Sequence, residues 1–291
     1  MKKSFLLLAA FALLFGCDNK HQKPVPSTAT ETITETITET IAEEPAEEEQ
    51  PFFAVETYEV QDSRHTTMEG EENQENLMSF GCKIDIPVTE NQALYDSICY
   101  WIGQNFGSSY DGDPRDLKAM VNFYKDWALD IEDDEEADGF DMDYTVLMQE
   151  ANDHYITYTF TMFFESAFSP RSNEETTHVT FDSNTGKRFT RQMVKADENL
   201  EQLVMNELLE QYFIDWSPED LTDLLYFDPE ELEESGFHLP EFNDPWISDG
   251  LVYFGYGMQE IAQFCAGQPK CGIPYSVIKP FLREEALSFF E

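Results

Sequence analysis

Tyr144–Phe164 reads Y-T-V-L-M-Q-E-A-N-D-H-Y-I-T-Y-T-F-T-M-F-F, and this stretch decides the fold class. Two runs rich in β-branched and aromatic residues, Tyr144–Gln149 and His154–Phe164, flank Ala151-Asn152-Asp153, a good hairpin turn. In the second run Ile156, Tyr158, Phe160, Met162 and Phe164 share one face of a strand. Tyr155, Thr157, Thr159 and Thr161 share the other. One apolar face and one half-polar face imply an antiparallel sheet with helices packed on one face, an α+β fold.

The neighbouring segments extend this pattern. Upstream, the alternation from Phe53 to Val60 and the run Leu77–Ile86 predict two strands around a polar loop over 62–76. Asn91–Phe106 predicts an amphipathic helix, with Leu94, Ile98, Trp101, Ile102 and Phe106 at helical spacing. Asp113-Pro114 predicts the start of a second helix, striped by Leu117, Met120, Val121, Tyr124, Ala128 and Ile131. Downstream, Glu174–Phe181 and Lys187–Thr190 predict a hairpin around Asn184-Thr185-Gly186. A helix is expected over Leu200–Phe213, and shorter ones at Ser217-Pro218 and Asp228-Pro229. Gly236 ends the last of them, and 237–248 reads as an irregular loop.

Asp249–Leu282 is the most apolar part of the chain outside the N-terminus, and it is punctuated by Gly255, Gly257, Gly267, Pro269, Gly272 and Pro274. Leu251–Tyr256 predicts a strand. Gly255 and Gly257 predict either a bulge or a close backbone approach where a side chain does not fit. Ile273 precedes proline and is therefore extended. A last helix with Val277, Ile278, Phe281 and Leu282 buried is expected to follow, with a kink or an early restart at Pro280. Phe254, Tyr256, Glu260, Ile261, Ala262, Gly267, Ile273, Pro274 and Tyr275 form a pattern that resembles the extracellular domain at the end of RsiV-type anti-sigma factors. The same domain accompanies the catalytic domain of PdaC-type polysaccharide deacetylases. Phe181–Lys187 resembles that domain's strand-turn-strand, so the resemblance covers roughly 174–287. It implies a domain at 144–291, with 52–143 as a companion region. It also implies a binding role, because RsiV-type proteins bind lysozyme through this region.

Composition narrows the partners. The chain has 291 residues, 59 Asp and Glu against 17 Lys and Arg, and a formal charge of −42. That charge excludes nucleic acid as a partner and favours basic ones. Residues 1–17 open with Lys2 and Lys3, continue with an apolar run from Phe5 to Phe15 and end in Gly16-Cys17. This predicts a lipoprotein signal peptide over 1–16, with Cys17 lipidated and tethering the protein to a membrane of the cell envelope. Removing Lys2 and Lys3 takes the mature chain from −42 to −44. Residues 17–51, with three Thr-Glu-Thr-Ile repeats and then Glu- and Pro-rich sequence, read as a disordered acidic spacer.

Cys82, Cys99, Cys265 and Cys271 remain. An exported chain with four cysteines suggests two disulfides, and nearest-neighbour pairing gives Cys82–Cys99 and Cys265–Cys271. A zinc site does not fit their spacing, and no cofactor is expected. Residues 130–143 hold nine carboxylates. Read as a calcium loop from Asp134, they place Thr145 where a bidentate Glu is needed, so a solvated acidic loop is expected. His21, His65, His154, His178 and His238 belong to no recognisable catalytic motif. Glu260 is the one acid in an apolar context. The expectation is therefore a non-catalytic, lipid-anchored envelope protein that binds a basic protein such as lysozyme or a cell-wall component. The alternative is a cell-wall glycan- or peptide-modifying enzyme using Glu260 or an acid of the 130–143 loop.

Overall fold

The computed structural model describes residues 53–67, 75–130, 139–166, 172–226 and 239–291. Cys17, the signal segment, the spacer, the core of the acidic loop and the helix expected at Asp228-Pro229 lie outside these residues. Residues 50–291 form one compact unit.

Five strands make the first sheet, in sequential order: β1 (Ala54–Thr67), β2 (Glu75–Val88), β3 (Phe140–Ala151), β4 (Tyr155–Ser166) and β5 (Asn173–Asp182). All pairs are antiparallel except β2–β3, which is parallel and corrects the all-antiparallel expectation. The cause is the connection between them. α1 (Gln92–Phe106) and α2 (Leu117–Leu129) lie in the β2–β3 link, and a helical crossover returns the chain in the same direction. The ladder β1–β2 also runs on to Thr67 and Glu75, into the segment expected to be loop. β3 begins at Phe140, so the expected boundary at 143/144 falls inside a central strand.

Both helices cover one face of this sheet, as the alternation predicts. Phe80, Cys82, Ile84, Val146, Ile156, Tyr158, Phe160, Val179 and Phe181 meet Leu94, Ile98, Trp101, Ile102, Phe106, Met120 and Val121 in one core. Asn91 caps α1 by accepting from Leu94 N. Its amide donates to the carbonyls of Ser183 and Asn184, tying the helix start to the turn after β5. In that turn Gly186 has φ +70°, and a Cβ there would lie 2.7 Å from the Ala93 carbonyl oxygen. α2 starts at Leu117 under an Asp116 cap, because Asp113 and Pro114 are used in the preceding turn, where Asp113 accepts from Arg115 N and Asp116 N.

The second core belongs to the C-terminal third. β6 (Trp246–Ser248), β7 (Leu251–Gly255) and β8 (Lys270–Pro274) form an antiparallel sheet. β6 lies in the expected loop. Asp249 and Gly250 both have positive φ, 51° and 73°, and close β6–β7 as a two-residue hairpin. Ile247, Val252, Phe254, Cys271 and Ile273 face α3 (Glu198–Gln211), whose Leu200, Val204, Met205 and Leu208 complete the core. α4 (Pro218–Leu224) starts under a Ser217 cap. Lys187–Thr190 makes only an isolated bridge, Phe181 with Arg188, rather than a strand. The closing helix is short, α5 (Tyr275–Ile278), and continues as a 3-10 turn through Pro280. Ile278 is buried, but Val277 is 45% exposed.

Two buried threonines join the sheets. Thr157 Oγ donates to the Ile247 carbonyl at 2.6 Å, and Ile247 N donates to Thr180 Oγ at 2.8 Å. The two hydroxyls lie 2.8 Å apart. The backbone of edge strand β6 is thus satisfied by side chains standing on the polar face of β4 and β5.

Candidate functional site

A cleft of about 400 Å³ opens where the edge strand β5, the C-terminal end of α1 and the second sheet meet. β5 contributes Glu175–His178, and α1 contributes Trp101, Gln104 and Asn105. The far wall is Asp244, Trp246, Glu260 and Lys270.

Aromatic stacking builds this wall. The rings of His178 and Trp246 lie 4.1 Å apart at 11°, and those of Trp246 and Tyr253 5.2 Å apart at 10°. Trp246 and Tyr253 are cross-strand partners on β6 and β7. Two glycines make room for the stack. A Cβ on Gly255 would sit 3.1 Å from the Trp246 ring, and one on Gly272 would sit 2.9 Å from Tyr253. Gly255 is thus the close approach expected from the sequence.

His178 Nδ1 is 2.9 Å from Thr159 Oγ. Burial, with the Lys270 charge opposing a second cation, pushes its pKa down from the usual value to about 4, so the ring is neutral at physiological pH. Asn105 accepts from Thr177 Oγ and donates to the Trp101 carbonyl, each at 2.9 Å, so its orientation is fixed. Asp244 accepts from Arg188 Nη2 at 3.3 Å and from Arg191 N at 2.9 Å. Arg188 Nε is buried with no hydrogen-bond partner among the described residues. Glu260 accepts from Gly257 N at 2.5 Å and closes the turn after β7.

Gln268 also lines the cleft. Its carboxamide oxygen accepts from Thr176 N at 2.7 Å, and its nitrogen donates to Thr176 O at 3.1 Å. A side chain thus pairs with the sheet edge as another strand's peptide would.

Of the residues singled out in the sequence, the cleft gathers Glu260 and His178, with Gly255 and Gly257 beside them. His154 lies elsewhere, in the β3–β4 turn. Trp246, Gln268, Arg188 and Asn105 belong to none of the motifs singled out in the sequence. Asp249-Gly250 was the available signal for Trp246, because it marks a hairpin and hence a strand before it.

The cysteines depart from expectation. Cys82, Cys99 and Cys271 are free, buried thiols, so neither expected disulfide is present. Cys271 faces the second core and its Sγ reaches the Val204 carbonyl at 3.6 Å, whereas Cys265 is exposed on a 3-10 turn. Cys82 and Cys99 are absorbed in the first core. Burial pushes these thiols up, Cys99 to about 11 and Cys82 and Cys271 to about 12. Among the described residues no cluster of three or more His, Cys, Asp or Glu can hold a metal ion, and no helix is long and apolar enough to cross a membrane.

No family model matches the chain, and no curated protein does. Its structural neighbours are DUF3298 family proteins. One from Bacteroides fragilis NCTC 9343 superposes with a TM-score of 0.58 at 15% identity, over 82% of this chain and 98% of its own. One from Pseudomonas aeruginosa PAO1 gives 0.49 at 10% identity, over 79% and 95%. At 15% identity the first likeness is one of fold: the α+β arrangement described above is the fold of a DUF3298 protein.

Proposed function

We propose that this chain is a lipid-anchored protein of the cell envelope that binds a basic partner, lysozyme being the leading candidate. The formal charge of −42 carries the reading. Much of the positive charge of the fold is already matched at short range: Arg115 by Asp96, Lys118 by Glu56, Lys125 by Asp62 and Asp126, Arg188 by Asp244, Arg191 by Glu241 and Lys279 by Glu291. The excess carboxylates therefore set the long-range field, which speeds encounter with a cationic protein and disfavours anionic ones. A tether at Cys17 places that field at a membrane surface. Glu260, the acid on which an enzyme would rest, is occupied by Gly257 N, a contact that suits a turn-closing role.

The test is association of the full chain with lysozyme and with a non-enzymatic basic protein of similar charge, at low and physiological salt. Recognition predicts selective binding to lysozyme that survives salt. Equal binding to both that vanishes with salt would reduce the reading to charge alone. In parallel, Cys17→Ser should abolish membrane partition in cells, and unchanged partition would remove the lipid anchor.

A further inference from the structure

The edge of β5 has a gap in its protection, and the gap opens into the cleft. Hydrogen bonds fix which residues of β5 point outward. Gln268 pairs with Thr176 on the open side. Phe189 N donates to Thr180 O, and Asp182 N donates to Lys187 O, also on the open side. Ser183 N instead donates inward, to His154 O of the β4 end. Even-numbered residues therefore present N–H and C=O to the edge, and odd-numbered ones pair with β4. Thr176 is covered by a carboxamide, and Thr180 and Asp182 by the returning chain. His178, between them, has its outward N–H and C=O covered by nothing among the described residues, and it lines the cleft.

We infer that the cleft binds a compact ligand carrying a primary carboxamide, whose carbonyl oxygen and the N–H on the same side of its C–N bond pair with the backbone of His178 as the Gln268 carboxamide pairs with Thr176. This goes beyond recognition of a basic protein and does not depend on it. The position is preorganised: the His178 ring is stacked on Trp246 and bonded to Thr159, so this part of the edge is held in place. The gap is one outward-facing residue long, closed by Gln268 on one side and by Lys187–Phe189 on the other. A long strand cannot add there, whereas one primary carboxamide can, because its C=O and one of its N–H bonds point the same way, which those of a trans secondary amide do not. Arg188 Nε, buried and without a partner at the same cleft, is a donor suited to a further ligand oxygen. A primary carboxamide can come from a small amidated acid or from an Asn or Gln side chain of a short peptide.

The experiment is an amide-shift titration of the ¹⁵N-labelled full chain with acetamide, with the tripeptide Gly-Gln-Gly, and with N-methylacetamide and Gly-Glu-Gly as controls that lack a primary carboxamide. The expected result is a saturable shift of the His178 amide with at least one carboxamide probe and none with its control. Response to acetamide alone or to the tripeptide alone identifies the source of the amide. A second arm uses Gln268→Ala, which uncovers Thr176. In that variant the carboxamide probe should shift the Thr176 amide as well as that of His178. Absence of any His178 shift up to about 20 mM, well above a fragment-range Kd of ~1 mM, would overturn the inference. So would equal shifts from the carboxamide probes and their controls, which would leave the gap as ordinary solvated edge.

Discussion

The core beneath α1 and α2 is made by long, regular elements. β1 and β2 each run 14 residues, β3 and β4 run 12, and the two helices run 15 and 13. Each such element fixes its own register through many ladder or helix bonds, and its buried face follows from periodicity alone. The core beneath α3 is assembled from strands of three and five residues, a four-residue helix and several 3-10 turns. Short pieces cannot hold their places this way. They are held by contacts between side chains and backbone: Gln211 to Gly272 N and O, Tyr212 to the Ala266 carbonyl, and Thr157 and Thr180 to Ile247. The second core therefore concentrates its specificity in a few polar groups, and the cleft lies along its seam with the first.

The largest effect should come from removing the apolar centre of the second core. Phe254 is fully buried and packs edge-on against Phe242 at 4.9 Å. Phe254→Ala should cost about 3–5 kcal/mol in urea unfolding. Residues 50–291 are one compact unit whose cores share β4, so the transition should stay single. A second transition would show that the C-terminal core melts separately, and the contrast between the cores would become one of independence as well as construction. Next is the seam. Thr180→Val keeps the shape of the side chain but leaves Ile247 N–H buried without its acceptor, an expected loss of about 1–3 kcal/mol. Thr176→Val is the matched control. Its hydroxyl meets only Thr161 at 3.2 Å in a half-buried site, so it should cost under about 0.5 kcal/mol. Equal losses from the two variants would mean that the seam is no more demanding than the open face.

This contrast also explains what could be read from the sequence. The strands of the first sheet, the two helices and their buried faces follow from alternation and 3.6-residue spacing, and Ile156, Tyr158 and Phe160 lie where the pattern puts them. The parallel β2–β3 pairing was not legible, because alternation fixes faces and says nothing of strand direction. β6 has only three residues, too few to show a period, and only the Asp249-Gly250 turn betrays it. Val277 is exposed because α5 ends after one turn, before a helical stripe can form. Counting cysteines favoured disulfides. Two of the thiols behave instead as small apolar groups in the first core, and Cys271 bonds to the Val204 carbonyl. The cleft was half legible. Gly255 and Gly257 announced close packing, but His178, Trp246 and Gln268 come together only through tertiary contacts, and nothing in their sequence spacing shows it.

The smallest and most selective effect is on pH dependence. His178 is held neutral in the fold, with its pKa lowered from 6.5 to about 4 by burial and by Lys270. In the unfolded chain it protonates near the ordinary value, so between pH 6.5 and about 4 the unfolded state binds the extra proton. Its contribution is thus fully retained above pH 6.5, falls as pH drops through that window, and changes no further below it. Carboxylates titrate in the lower half of the window, so the comparison belongs between pH 7 and 5, against His178→Gln. The wild-type chain should lose about 1–2 kcal/mol more than the variant over that interval, read as a difference in urea midpoint at each pH. Parallel curves for the two proteins would mean that the ring protonates within its stack. The wall of the cleft would then be looser than the 4.1 Å contact with Trp246 implies, and the His178 backbone would lose the fixed position on which amide pairing at the β5 edge depends.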